Sequence, residues 1–123
     1  MAGETHTLDV APGLPLPYVR EFLRSVDGHL PDKVRETLAL LATEVVSNAV
    51  RYGEPPVELE VIWLAGTARI VVRSGGPRFG WEGRPAQPTP EGGWGLEFVD
   101  ILADRWGIKR LADGNEVWLE MDH

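Results

Sequence analysis

Glu44 and Asn48 place a carboxylate and a carboxamide four residues apart in a segment whose apolar residues predict a helix. The apolar residues recur at steps of three and four: Val34, Leu38, Leu41, Val45, Ala49 and Tyr52. At about 100° per residue this stripe covers about 80° of the helix, with Asn48 about 20° outside it and Glu44 about 40° further round. A carboxamide against a core face costs about 1–3 kcal/mol unless it is hydrogen-bonded. Either the fold or a ligand must therefore satisfy Asn48.

Each of the two residues also has an interpretation that needs no ligand. Glu44 alone is typical of a solvated carboxylate at a helix border, paired with Arg51 or Arg35. Asn48 alone is typical of an amide that the fold itself satisfies at the edge of a core. A functional site on this helix therefore requires other elements of the chain that converge on the same place.

Length and composition indicate one domain with one hydrophobic core, spanning residues 1–123, with 43% hydrophobic residues. The chain has no cysteine, which excludes disulfides and thiolate metal sites, and the scatter of His6, His29 and His123 gives no metal-binding pattern. No apolar run approaches the roughly 18 residues of a membrane span, and the first ten residues lack the apolar stretch of a signal peptide. We expect a cytoplasmic protein.

The formal net charge of −7 at pH 7 argues against a nucleic-acid binder that is held by phosphate contacts. Nucleic acid is therefore not expected as a partner, and the lack of a membrane-spanning run argues against a membrane. An acidic surface is compatible with a protein partner that carries a basic patch.

The patterning predicts the element order β-α-α-β-β-(loop)-α-β-β. The predicted elements are an edge strand at 5–10, a helix at 18–26, the long helix between Pro31 and Gly53, a hairpin of 57–64 with 68–73, a helix marked by Leu96, Val99, Ala103 and Trp106, and a hairpin of 108–111 with 116–121 across Ala112-Asp113-Gly114-Asn115. The fold class that follows is a two-layer α/β sandwich, in which a mixed, largely antiparallel sheet is covered on one face by three helices.

Two glycine-rich turns flank an irregular, lid-like loop at about residues 75–93. The first turn is Ser74-Gly75-Gly76-Pro77, and the second, Gly92-Gly93-Trp94-Gly95-Leu96, stands directly before a helix. Backbone amides at such a helix start can approach an anion. Glycine turns alone are mostly plain loops, but their placement downstream of Glu44 and Asn48 is more specific. A structureless loop of this length is usually functional.

The five tryptophans divide into two groups. Trp63, Trp106 and Trp118 fall at positions predicted to face the core. Trp81 and Trp94 lie in or beside the loop, where an aromatic side chain indicates a partner surface or a pocket lid.

These motifs resemble those of the GHKL (Bergerat) ATP-binding fold, shared by histidine kinases, gyrase, Hsp90 and MutL. More closely, they resemble the small anti-sigma-factor serine kinases of the RsbW and SpoIIAB type. Residues 44–51 match the N box of that group, Gly93-Trp94-Gly95-Leu96 match its second glycine box, and residues 99–107 resemble the helix that follows. The resemblance extends from about Leu16 to Glu120.

The resemblance implies a role for each matching residue. Asn48 would hold the Mg²⁺ that bridges the phosphates of ATP, and Glu44 would be the general base that takes the proton of an attacking serine hydroxyl. The residues implied in cofactor binding are Asn48, Ser74, Gly76, Gly93, Trp94, Gly95 and Leu96. The implied partners are a sigma factor and an anti-anti-sigma protein of the STAS fold, exchanged by partner switching, with a homodimer left open.

One motif departs from the pattern of the family. Its first glycine box reads Asp-x-Gly-x-Gly, in which the aspartate accepts a hydrogen bond from the adenine amino group. Ser74 replaces that aspartate and Arg78 replaces the second glycine. Two functions therefore stay open: an ATP-dependent regulatory serine kinase, and a degenerate module that binds a protein partner without productive ATP binding.

Overall fold

The computed structural model describes residues 4–10, 17–26, 30–76 and 95–123. Its elements follow the predicted order: β1 (Glu4–Val10), α1 (Pro17–Ser25), α2 (Asp32–Tyr52), β2 (Glu54–Leu64), β3 (Thr67–Gly75), α3 (Gly95–Leu102), β4 (Arg105–Leu111) and β5 (Gly114–Asp122). The rest of the predicted lid-like loop, from residue 77 to residue 94, lies outside the described residues.

The long helix α2 buries the stripe that its sequence predicted. Leu38, Leu41, Val45 and Ala49 are buried, while Val34 and Tyr52 pack against the same core at its edge. Gly53 follows the helix and its N–H donates to Ala49 O at 2.9 Å. Its backbone is extended (φ −97°, ψ −166°) instead of left-handed, so glycine is not required there by its dihedral angles.

The five strands form one sheet in the order β1-β2-β3-β5-β4, and all four pairings are antiparallel. The predicted two-layer sandwich is confirmed, but the sheet is not mixed. The long connection after β3 returns the chain at the outer edge of the sheet as β4, and a tight turn then places β5 between β4 and β3. Each strand therefore runs opposite to its neighbours.

The helices cover one face of this sheet. The central helix α2 contacts β2 and β3, α3 contacts β4, and both α1 and α3 pack against α2. Residues of α1 and β1 line a common cleft, so α1 lies at the opposite flank from α3. The core between the layers includes Leu59, Ile70 and Leu119, all fully buried.

Most predicted boundaries shift by a few residues. The strand β2 begins at Glu54 and includes the cis-linked Pro55-Pro56, with an irregular register before Val57. The strand β4 begins at Arg105, so Trp106 belongs to a strand and not to the preceding helix, because Asp104 N–H already donates to Glu120 O of β5 at 2.9 Å. In the last hairpin the turn is Ala112-Asp113 alone, because Gly114 and Asn115 of the predicted turn already pair with β4 as the first residues of β5.

The prediction for Trp118 is wrong. Its neighbours Val117 and Leu119 point into the core, so the alternation of the strand turns Trp118 to the uncovered face. There the Arg69 guanidinium lies 4.6 Å from the centre of the Trp118 ring, and a Cβ on Gly107 would come within 2.8 Å of Trp118 Nε1. Trp63 and Trp106 pack against the core as predicted.

Ion pairs cross the uncovered face of the sheet. Arg73 donates to Glu58, Glu60 and Glu116 at 2.9–3.1 Å, so one guanidinium serves three carboxylates. At the β4 edge Arg105 Nε donates to Glu120 Oε1 at 2.7 Å, and its terminal nitrogens donate to Asp122. The pKa values of Glu120 and Asp122 lie below their ordinary values, and the largest cause in each case is the hydrogen bonding from Arg105.

We expect acid to weaken the fold through these two carboxylates. Their folded-state pKa values lie below the ordinary values of 4.5 and 3.8, so their stabilising effect is complete above those values and is lost as the pH falls through the lowered ones. In Arg105→Ala the unfolding temperature at pH 7 should be lower than in the wild type, and should fall less between about pH 5 and pH 3. Calorimetry over this range measures both. Lys109→Ala, an exposed position on the same strand, is the control; an equally steep decline in Arg105→Ala would contradict the prediction.

Candidate functional site

The predicted site residues that the structure describes lie on or beside three elements that meet, α2, β3 and α3. The helices α2 and α3 pack against each other, and α2 also packs on β3. Gly53, directly after α2, lies against Ser74 near the end of β3. The end of α2 and the end of β3, two of the predicted parts of the site, are therefore in contact.

Asn48 is the buried polar residue of α2 that the helical phase predicted, with 8% of its surface exposed. Glu44, one turn earlier, is half-buried at the border of the same face. Thr43, also buried, is satisfied by its own helix, because its Oγ1 donates to Ala39 O at 2.7 Å. For the Asn48 carboxamide, in contrast, the part of the chain that the structure describes supplies no hydrogen bond. Asn48 therefore has capacity left for a ligand.

Ser74 ends the inward-facing row of β3 and is 4% exposed. Its Oγ is buried and has no hydrogen-bond partner within the described residues. A Cβ on Gly53 would lie 2.7 Å from this oxygen and 2.8 Å from Ala49 O. Glycine is thus needed at position 53 for space, because the Ser74 hydroxyl is packed against the backbone at the end of α2.

Gly76 carries the chain out of β3 in a conformation that favours glycine, with φ +89°. Its N–H donates to Asp113 O at 3.2 Å, and a Cβ there would lie 2.7 Å from the Glu54 side chain. The predicted contacts Gly93 and Trp94, and Arg78 of the altered motif, lie outside the described residues. Gly95 begins α3 and Leu96 follows it, so the second glycine motif does stand before a helix.

The sequence reasoning missed Asn115, which is paired with Ser74 across the β3–β5 ladder. It is fully buried, and its Oδ1 accepts a hydrogen bond from Arg110 Nη1 at 3.0 Å. The signal was available: position 115 belongs to the inward row of β5, which continues as Val117 and Leu119, and a polar residue at its head interrupts that row. Ser74 and Asn115 together make this end of the core polar.

A pocket of about 500 Å³ opens at the same end of the sheet. Asp9, Glu58 and Asp113 contribute carboxylates to its lining. The one cation among the described lining residues is Arg73, which is already hydrogen-bonded to three glutamates. A phosphate would be repelled by this lining. The helix side of the sheet, with Asn48, is therefore the better candidate for an anionic ligand.

Comparison with known protein families identifies the family to which this chain belongs. The model of the histidine kinase-like ATPase domain family matches residues 15–121, which include every described element except β1. The chain belongs to this family. The predicted GHKL fold is thereby supported, and so is an ATP-binding role for the domain; the narrower group of anti-sigma kinases stays a prediction.

Solved structures agree with this fold. A blue-light activated histidine kinase from Erythrobacter litoralis EL346 aligns with a TM-score of 0.61 at 17% identity, covering 92% of this chain and 42% of that one. The histidine kinase domain of the same protein aligns with a TM-score of 0.60 at 17% identity, covering 91% and 63%. The present chain thus spans only 42% and 63% of these two chains. At such low identity the likeness shows the fold alone.

A comparison with curated protein sequences found no match. None of the helices in the described part of the chain combines the length and the hydropathy needed to cross a membrane.

Proposed function

We propose that this domain binds Mg·ATP and acts as a regulatory serine protein kinase of the anti-sigma type. It holds a sigma factor inactive and phosphorylates a STAS-domain partner, and the exchange between the two partners sets the outcome. Membership of the ATPase family supports the nucleotide, and the resemblance of residues 44–51 and 93–107 supports the choice of partners.

The observation that carries the proposal is Asn48, a residue only 8% exposed whose carboxamide has no hydrogen bond from the described residues, at the junction of α2, β3 and α3. Its side-chain oxygen is the kind of hard ligand that Mg²⁺ prefers. Among the described residues no three His, Cys, Asp or Glu side chains gather to hold a metal ion, so Mg²⁺ would be shared between Asn48, the phosphates and water.

Glu44 supplies the proton chemistry in this proposal. It lies one helical turn from Asn48, half-buried, and accepts the proton of a substrate serine as the serine oxygen bonds to the γ-phosphorus and the bond to ADP breaks. Mg²⁺, when bound, would neutralise charge on the phosphates. Gly95 would offer its backbone amide to the same phosphates at the start of α3.

Ser74 favours the second candidate function, a partner-binding module without productive ATP binding. An adenine amino group needs an acceptor that it can reach, and the Ser74 oxygen is buried against Gly53. A neutral hydroxyl in place of a carboxylate also loses about 1–2 kcal/mol of a charge-assisted hydrogen bond. The phosphate end of the site supports a kinase, whereas the adenine end supports a module without productive ATP binding.

Calorimetric titration with Mg·ATP separates the two functions. The kinase requires binding in the micromolar to low millimolar range, and the module predicts none at millimolar ATP. Ser74→Ala tests the adenine end of the site in the same assay. Where Ser74 contacts adenine, the variant binds ATP several-fold more weakly; where it does not, affinity is unchanged and the ligand-free protein is about 1 kcal/mol more stable, because a buried hydroxyl without a partner has been removed.

A further inference from the structure

We propose that a groove across one end of the sheet, on the face that no helix covers, binds an extended basic segment of a protein partner. The groove is the pocket of about 500 Å³ whose lining includes Asp9, Glu58 and Asp113. Asn48 lies on the helix side of the sheet, so binding in the groove does not depend on nucleotide. Three features of the groove favour this occupant: its length, its glycine floor and its charge.

The groove crosses every strand of the sheet. All five strands contribute to its lining: Asp9 of β1, Glu58 of β2, residues 73–75 of β3, Gly114 of β5 and Leu111 of β4. Neighbouring strands lie about 4.8 Å apart, so the four steps from β1 to β4 span about 19 Å. An extended chain advances about 3.3 Å per residue, and a segment of about five residues therefore occupies most of this length.

Part of the floor of the groove is bare backbone. Gly75 and Gly114 are partners in the β3–β5 ladder, and both line the groove without adding a side chain to it. Leu111, the partner of Gly114 in the β4–β5 ladder, is 36% exposed and forms an apolar wall together with Pro56 and Ala112. An apolar side chain of the bound segment therefore lies on the two glycines and against Leu111.

The charge of the groove selects a cation. Asp9 and Asp113 are exposed and form no ion pair with any described residue. Asp9 is also the partner of Glu58 in the β1–β2 ladder, where two carboxylates directly opposite each other repel. Arg73 is already hydrogen-bonded to three glutamates and has little charge to spare for them. A lysine or arginine near each end of the segment supplies the missing positive charge, whereas an acidic segment is repelled.

The two unpaired carboxylates lie at different places along the groove. Asp9 belongs to β1 at one edge of the sheet, and Asp113 belongs to the turn between β4 and β5 at the other. Among the described residues, no three His, Cys, Asp or Glu side chains gather closely enough to hold a metal ion. This spacing fits positive charges that are separated along a chain, and not a single compact cation.

Fluorescence anisotropy with a labelled peptide tests the groove. The probe is the acetylated pentapeptide Arg-Thr-Leu-Thr-Arg, in which an extended backbone places both arginines and the leucine on one side. The full chain should bind it with a Kd of about 100 μM. A peptide with glutamine in place of both arginines should bind at least about 10-fold more weakly, because it lacks the charges that face the carboxylates. A peptide with serine in place of leucine should bind about five-fold more weakly, because the apolar contact with the floor is lost.

Variants of the chain locate the binding. Asp9→Asn with Asp113→Asn keeps the shapes of the two side chains and should weaken the binding of the arginine peptide at least about 10-fold. The matched control, Glu4→Gln with Glu36→Gln, changes the net charge by the same amount at the far end of β1 and on α2, and should leave the affinity within about two-fold. All four carboxylates are exposed, so the unfolding temperature should stay near that of the wild type.

The same measurements can overturn the proposal. An equal loss of affinity in the two double variants would mean that the peptide is attracted by the net charge of −7 as a whole and not by the groove. No binding of the arginine peptide at about 1 mM, or equally tight binding of the peptide that lacks leucine, would also contradict it. Asn48→Ala should bind the peptide as the wild type does, so failure of the proposed kinase leaves this result unchanged.

Discussion

Replacing Asn48 with alanine should weaken Mg·ATP binding by at least about 100-fold in calorimetric titration, because it removes a carboxamide that can reach Mg²⁺ and phosphate oxygens at this junction. It should not destabilise the ligand-free protein. The Asn48 side chain makes no hydrogen bond within the described residues, so no internal bond is lost, and alanine is a better helix former. An unchanged or raised unfolding temperature together with lost ATP affinity is the expected signature.

Two neighbours on the same helix are the controls for Asn48→Ala. Glu44→Gln keeps the shape of the side chain and should leave ATP affinity within about two-fold, since Glu44 acts on the attacking nucleophile and not on the phosphates. Ser47→Ala, half-buried and adjacent, should change neither affinity nor stability measurably. If Asn48→Ala lowers the unfolding temperature sharply and leaves ATP affinity unchanged, the residue is structural and the proposed metal role is wrong.

Gly114→Ala should destabilise the fold by about 3 kcal/mol or more, the largest stability effect that we expect from a single methyl group in this chain. A Cβ at position 114 would lie 2.0 Å from the backbone oxygen of Ser74 and 3.0 Å from Gly75 Cα. Neither atom can withdraw without separating β3 from β5, because both belong to the ladder that pairs Gly75 with Gly114. Urea denaturation followed by tryptophan fluorescence measures the loss.

The matched control for Gly114→Ala is the same substitution at Gly66. Gly66 has a positive φ of 72°, but a Cβ there meets only His123 O at 3.8 Å among the described residues. Gly66→Ala should therefore cost about 1 kcal/mol, the strain of a left-handed backbone without a steric clash. Equal losses at the two positions would show that the contact with Ser74 relaxes at little cost.

Much of the architecture followed from local pattern. The periodicity of α2 predicted both its buried stripe and the position of Asn48 at the edge of that stripe, because helical phase follows directly from residue spacing. Local pattern also predicted the hairpin that β2 and β3 form. The order of the elements is confirmed throughout.

The predictions that failed depended on contacts between distant segments. Trp118 is as apolar as a core residue, and only the register of β5 against β3 turns it to the uncovered face beside Arg69. The strand β4 begins earlier than predicted, because residues whose local spacing suits a helix pair with β5 instead. Asn115 was assigned to the predicted turn, so the alternation of β5 was not followed back to it, and its pairing with the distant Ser74 is seen only in the sheet.

The sequence by itself therefore determined the fold class, the helix that carries Glu44 and Asn48, and the position of the second glycine motif before a helix, since each of these depends on spacing within one segment. Only the tertiary structure decided how the adenine end of the site, around Ser74, is built. The packing of Ser74 against Gly53, and the pairing of Ser74 with Asn115, join three segments of the chain, and a contact between segments leaves no period in any one of them. The same reason explains why the altered first glycine motif could be recognised in the sequence, whereas the burial of its serine hydroxyl could not.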